Sequence, residues 1–511
     1  VNHYLILTFI LILSGGRGFA QENIACGEQY SRGKEGDFFF ASVNGEEHLT
    51  VCTYKKEGII LKRTDLLGNV LNSKELPYSY STAAEMLRSI TAFAGNIILM
   101  TERSSRSTHN DLFLRMWDQE TFQPIGEGRK IASIKAHSDN KHATYTSVHI
   151  SPGNTHLLIV FTDHDPNKDR PVYIFQVYNK SLDLVWTQEL RSTHDAKDVT
   201  YKDFQVNDTG SCHFLMHKYD ESWKTRVPKI TVGYTMSSMD PAAFPHTYRL
   251  YVLNGDDAPK DVPIELAGLK DVRFRGISLN NEDEVVVGGI FASENNPDQR
   301  FMMAFEPISM DLLHTAIGPL PEGGYDRYRT NWKTSYKNSA EPFNDMVVSM
   351  LLGEDGGIYL MCEEIFRYQD PDRPSTVTEN NDVHVFHFSN ETLDWARTIP
   401  KRQRDVNGDA SRSSYKCFSD GSDLIMLFND DEKNLELTKE GLVELARIAH
   451  KTGVITQVKV SATGDILRST LMPRPKGEAV VTNSMNSIGD RIFLVSTDQT
   501  NDFRFCHATV Q

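Results

Sequence analysis

The sequence predicts an all-β fold: a β-propeller of four-stranded antiparallel blades, with eight blades favoured and seven as the alternative. Two observations carry this. One unit recurs along the chain: a strand, a Gly/Asn/Asp turn, then a strongly apolar strand. The first strands of successive units begin near residues 37, 86, 145, 199, 271, 344, 412 and 478, and a four-strand period of this kind is the signature of propeller blades. Two stacked β-sandwiches are the competing architecture, but they give no reason for repeated four-strand units. A blade cannot bury both faces alone and must close into a ring with its neighbours.

The elements follow in order. The first and second strands of each unit are joined at turns such as Asn44-Gly45, Gly95-Asn96, Asn207-Asp208-Thr209-Gly210 and Gly489-Asp490, residue types that close tight hairpins. The second strands read HLTVCTY, IILMT, HLLIVFT, CHFLMH, EVVVGGI, IYLMC, DLIMLF and RIFLVS. Continuous apolar runs of this length suit strands covered on both faces. Third strands are expected at runs such as IILKRT, VYIFQVY and FMMAF, and in the seventh unit at LVELARIA, 442–449. Fourth strands include LVWTQEL, 184–190, and LDWARTI, 393–399. The eighth unit stops after three strands. Its missing strand is expected from residues 21–34, which would run beside the strand at 503–507 and bring Cys26 next to Cys506. Six cysteines allow 15 full pairings, so other pairings stay open.

The chain has 511 residues, 39% hydrophobic and 24% charged, an ordinary globular composition. Its formal net charge of −15 argues against a nucleic-acid binder, which needs a basic face. Leu5–Leu13 is apolar except for Thr8, and Gly18-Phe19-Ala20 supplies small residues ahead of a cleavage point. Residues 1–20 therefore read as a secretory signal peptide, too short for a span of about 20 residues. The expected product is a single propeller domain, 21–511, in the periplasm or secreted.

Because the chain reverses at every turn, first–second and third–fourth turns share one face, and second–third and fourth–first connections share the other. The long connections expected at 218–247, 317–343, 363–382 and 429–441 all fall on that second face. Long loops in a compact domain carry function. Loop 317–343 interleaves aromatics with cations: Tyr325, Arg327, Tyr328, Arg329 and Trp332. Trp223 lies in 218–247. Aromatic faces stack on sugars or peptide groups, and arginine pairs with carboxylates. These six are the candidate ligand-binding residues.

Catalytic and metal signatures are lacking. Asp163-x-Asp165-x-Asn167-x-Asp169 resembles the start of a calcium loop, but Lys168 stands where glycine is needed and Ile174 where glutamate is needed. The histidines between His137 and His164 lack metal-ligand spacing. There is no Gly-x-Ser-x-Gly elbow, GxGxxG or P-loop. No catalytic residue, metal or cofactor is expected.

The C-terminal half reads GEDGGIYLMCEE (353–364), LDWARTIPKRQ (393–403) and DLIMLFNDDEKN (423–434). This order of motifs resembles a group of uncharacterised exported β-propeller-like proteins of Bacteroidota. The resemblance implies the fold and a cell-envelope location, and it brings no catalytic residues. Two functions are consistent with these readings. One is a non-catalytic propeller that binds a protein or glycan through its long loops. The alternative is a polysaccharide hydrolase or lyase with carboxylates at the central mouth.

Overall fold

The structure is a computed structural model. It describes residues 24–26, 37–44, 48–55, 58–78, 85–105, 109–135, 146–164, 170–194, 199–219, 246–255, 257–265, 270–280, 284–292, 299–319, 345–353, 356–369, 376–389, 392–406, 413–421, 423–435, 446–447, 453–473, 479–480, 486–488, 491–497 and 503–509.

Among the described residues the strands form eight sheets, and their order gives the propeller. In blade 1, Asp37–Asn44, His48–Lys55, Gly58–Asp65 and Val70–Leu76 pair in sequence order, each antiparallel to the next. Blades 2 (Glu85–Phe93 to Pro124–Lys135), 3 (Thr146–Ile150 to Leu184–Arg191), 4 (Val199–Val206 to Lys260–Pro263) and 5 (Lys270–Leu279 to Leu312–Pro319) repeat this order. Blade 6 starts at Asp345–Leu352, blade 7 at Lys416–Asp420 and blade 8 at Ala479–Val480 and Asn486–Ile488. From blade 1 to blade 7, each first strand packs against the first strand of the next blade. Asp423–Asp430 of blade 7 packs on Ala479–Val480, and Asn486–Ile488 packs on Asp37–Asn44, closing the ring.

The core is divided among the blade interfaces. In blade 3, Leu157, Ile159 and Phe161 pack toward blade 2, while Leu158 and Val160 pack toward blade 4. Strict alternation with both sides buried is why the second strands read as unbroken apolar runs. Equivalent clusters fill every interface from blades 1–2 to blades 7–8. Burying one Leu or Phe contributes about 2 kcal/mol, and each interface repeats that gain many times.

A polar latch recurs at the outer rim. A side chain of the fourth strand donates to a carbonyl in the next blade's third–fourth turn: Arg129 to Leu182 (2.7 Å), Gln188 to Asp257 (2.8 Å), Lys260 to Ile308 (3.4 Å) and Arg397 to Gly464 (2.9 Å). Such bonds add about 1 kcal/mol each, and each ties one blade to the next.

The ring closes with chain from both ends. Ile24–Cys26 is the outer strand of blade 8, antiparallel to Phe503–Thr509, with Cys26 opposite Cys506. A disulfide joins the two. Blade 1 touches blade 8 where Gly68, at φ +84°, lies against the Phe505 ring.

Three expectations need correction. LVELARIA is not the third strand of blade 7. Among its described residues, Ala446–Arg447 is a strand, parallel to Gln403–Val406 in the blade 6 sheet, and the third strand of blade 7 is Val454–Val460, paired with Asp423–Asp430. Residues 363–382 are not one long loop. The strands Ile358–Gln369 and Thr376–Ser389 run through most of that stretch, continuing past a bulge. Residues 429–441 likewise begin in strand and pass through a 3-10 turn at Glu432–Leu435.

Candidate functional face

The strand bounds place the connections. The stretch 220–245 joins the second and third strands of blade 4, and 320–344 joins blade 5 to blade 6. Both leave from the face that also receives 370–375 and the link from Asp430 to Val454. On the opposite face the first–second and third–fourth turns are short throughout. Trp223, Tyr325, Arg327, Tyr328, Arg329 and Trp332 lie in 220–245 and 320–344, outside the described residues.

The loop-rich side of blades 6 and 7 is built on buried charge. Odd positions of Ile358–Gln369 (Tyr359, Met361) face blade 7, and even positions (Ile358, Leu360, Cys362) face blade 5. By this alternation Glu363 faces blade 7, where it pairs with Lys401 in a fully buried ion pair. Glu363 also accepts from Ser414 Oγ (2.6 Å) and Asn380 Nδ2 (3.0 Å). The Lys401 ammonium donates to Gln403 Oε1 (2.9 Å) and the Asn380 carbonyl (3.3 Å), while its backbone N–H donates to Asp382 (3.0 Å). Gln403 continues the chain of bonds into blade 7, donating to the Asn429 carbonyl (2.8 Å). Asn429 reaches blade 8 through a reciprocal pair with the Val480 backbone (2.9 and 3.0 Å). Next to it, Asp430 holds Arg468 as an ion pair and accepts from Asn434 (2.7 Å) and Thr456 (3.2 Å).

Burial pulls the Lys401 ammonium below its ordinary value, and the Glu363 carboxylate opposes that fall. Burial drives the Tyr415 phenol well above its ordinary range, with Cys417 adding to the rise. A buried ion pair of this kind adds little net stability over an apolar pair, but breaking it is costly. Its chemistry is support: Glu363 and Lys401 are fully buried, and each is held by several partners besides the other. The network ties blades 6, 7 and 8 to one another.

A second cluster lies on the same side at blades 1 and 2. Burial would raise the Glu85 carboxyl, but hydrogen bonds from Thr101, Arg103 and Arg115 outweigh it and hold it below its usual value. Both guanidiniums stack on Phe113, at 5.0 and 5.1 Å, and Arg115 also covers Tyr78 at 5.3 Å. Among the described residues, no group of three or more His, Cys, Asp or Glu side chains could hold a metal ion.

None of Glu363, Lys401, Gln403, Asn429 and Asp430 was singled out as a site residue by sequence reasoning. The available signal was their position in the CEE, PKRQ and LFND segments. Nothing in those segments alone says that they meet.

The closed ring of four-stranded sheets, with long connections on one face, defines a β-propeller. No family model and no curated protein matches the chain. Similar solved structures include the polysaccharide lyase Uly1, at 9% identity and TM-score 0.38, covering 96% of this chain and 100% of that one. The β-propeller domain of the Trilobed protease from Pyrococcus furiosus is 9% identical at TM-score 0.29, covering 71% and 95%. The periplasmic gluconolactonase PpgL of Pseudomonas aeruginosa is 12% identical at TM-score 0.30, covering 81% and 96%. No described helix is long and apolar enough to cross a membrane.

Proposed function

We propose that this β-propeller is an exported, non-catalytic binding protein that recognises a protein or glycan through its loop-rich face. The single observation behind this is the segregation of long connections: 220–245 and 320–344 leave from one face, while the turns of the other are short. The buried network under blades 6–8 supports the reading, because a binding face built on loops needs a rigid base. The leader-like residues 1–20 and the resemblance to exported propeller-like proteins of Bacteroidota favour the periplasm or the exterior as its location.

The test is an array of immobilised polysaccharides and peptides probed with the full chain and with a Trp332→Ala/Arg329→Ala variant. The expected result is a retained ligand that the variant binds at least tenfold more weakly, with an unchanged melting temperature. Equal binding by the variant would remove the loop from the site. Release of shortened or unsaturated sugars from a polysaccharide would instead establish the hydrolase or lyase reading.

A further inference from the structure

The opposite, short-turn face has its own repeated surface feature. Fourth strands begin with a pair of exposed aliphatic residues in alternate blades: Val70–Leu71 in blade 1, Leu184–Val185 in blade 3, Leu312–Leu313 in blade 5 and Ile466–Leu467 in blade 7. Leu71 is 56% exposed, Leu312 52% and Leu467 65%. Successive residues of a strand point to opposite sides, so one of each pair would ordinarily be covered. Here both are open, and each of these strands is the outermost in its sheet. Single exposed aliphatics are ordinary; the same pair at the same position of four blades is a repeated surface.

Each pair stands beside a carboxylate. Asp183, Asp311 and Asp465 immediately precede the pairs of blades 3, 5 and 7, and Asp65 opens the turn before that of blade 1. The turns account for some of this acid: Asp65 Oδ1 accepts from the Leu67 and Asn69 amides at 2.9 Å. Turn closure gives no reason for two exposed aliphatics after it. We propose that this rim docks a polypeptide carrying cationic and aliphatic side chains side by side. Charge decides the occupant. A second copy would set carboxylate against carboxylate, and an anionic bilayer would be repelled by the same groups. A cationic, aliphatic chain satisfies both halves of each tip, and engaging several tips multiplies the affinity of one. This surface is separate from the loop-rich face and stands independently of the function proposed for it.

The probe is a fluorescein-labelled synthetic peptide of alternating leucine and lysine, titrated with the full chain. The comparison is a variant carrying Leu71→Ser, Val185→Ser, Leu313→Ser and Leu467→Ser. The expected result is at least a tenfold higher Kd for this variant, no change for Trp332→Ala/Arg329→Ala, and at least tenfold weaker binding of a peptide with glutamine in place of leucine. Equal Kd for the four-site variant overturns the proposal. So does a dimer of the full chain, seen by sedimentation, that the variant abolishes, or vesicle binding that it abolishes. Should the four-site variant fail to fold, Leu467→Ser and Asp465→Asn, tested singly, must each raise the Kd at least twofold, and no rise in either overturns the proposal.

Discussion

Cys26 and Cys506 stand opposite each other on neighbouring strands, with Cα atoms 4.1 Å apart and a sequence separation of 480. The bond between them closes the ring at a strand of three residues, Ile24–Cys26, which can contribute little pairing of its own. Cys506 is buried with Ile492, Ala508 and Val480 in the cluster that joins blades 7 and 8. The covalent link therefore holds a short strand over an apolar surface.

Cys26→Ser should destabilise the chain by up to about 5 kcal/mol, the upper end of what disulfides contribute, because the loop it closes is very long. Denaturant titration of the oxidised wild type, the reduced wild type and the variant is the measurement. The reduced wild type should match the variant. A variant as stable as the oxidised wild type would show that the ring closes without the bond.

Lys401→Met should cost about 3–5 kcal/mol, because it leaves the Glu363 carboxylate buried without its cation. Glu363→Gln should cost a similar amount. The double variant should cost much less than the sum of the two, since it removes both charges together. A double-mutant cycle by thermal or chemical denaturation reads this coupling, and additive losses would show that the two groups act separately.

Acid should destabilise the fold before its carboxylates titrate. Burial lowers His149 and His213 from 6.5 to about 4. Between those values the unfolded chain binds protons that the folded chain refuses, so stability falls as pH drops from 6.5 toward 4. The lost stability approaches about 3 kcal/mol for each histidine. The His213 ring donates from Nε2 to the Pro307 carbonyl at 2.8 Å, so the neutral ring with its proton on Nε2 fits the site. Unfolding curves across this window should flatten in a His149→Phe/His213→Gln variant, and an unchanged slope would move the effect elsewhere.

Gly68→Ala and Gly356→Ala form a matched pair. Their φ angles are +84° and +83°, but an added Cβ at Gly68 would meet Phe505 at 2.6 Å, whereas at Gly356 it would meet open space. Both should lose about 1–2 kcal/mol from the left-handed backbone, with a further loss at Gly68 where blade 1 meets blade 8. Comparing the two melting curves isolates the contact, and equal losses would show that Phe505 moves aside without cost.

By itself the sequence determined the strand repeat, the short turns on one face and long connections on the other, and the supply of the last outer strand from the N-terminal segment. The first two are local properties, and the third follows from a strand missing at the end of a repeated unit. Turn residues, apolar runs and chain reversal act over a few residues, so they remain legible in one dimension. Tertiary structure decided the rest. LVELARIA and Val454–Val460 are both strand-like runs, and only pairing with Asp423–Asp430 selects the second as the third strand of blade 7. Nothing in the sequence marks Glu363 and Lys401 as buried, because a charge is costly to bury until its partner and hydrogen bonds are in place. The fold supplies that partner from beyond another strand, so no pattern of neighbouring residues announces it.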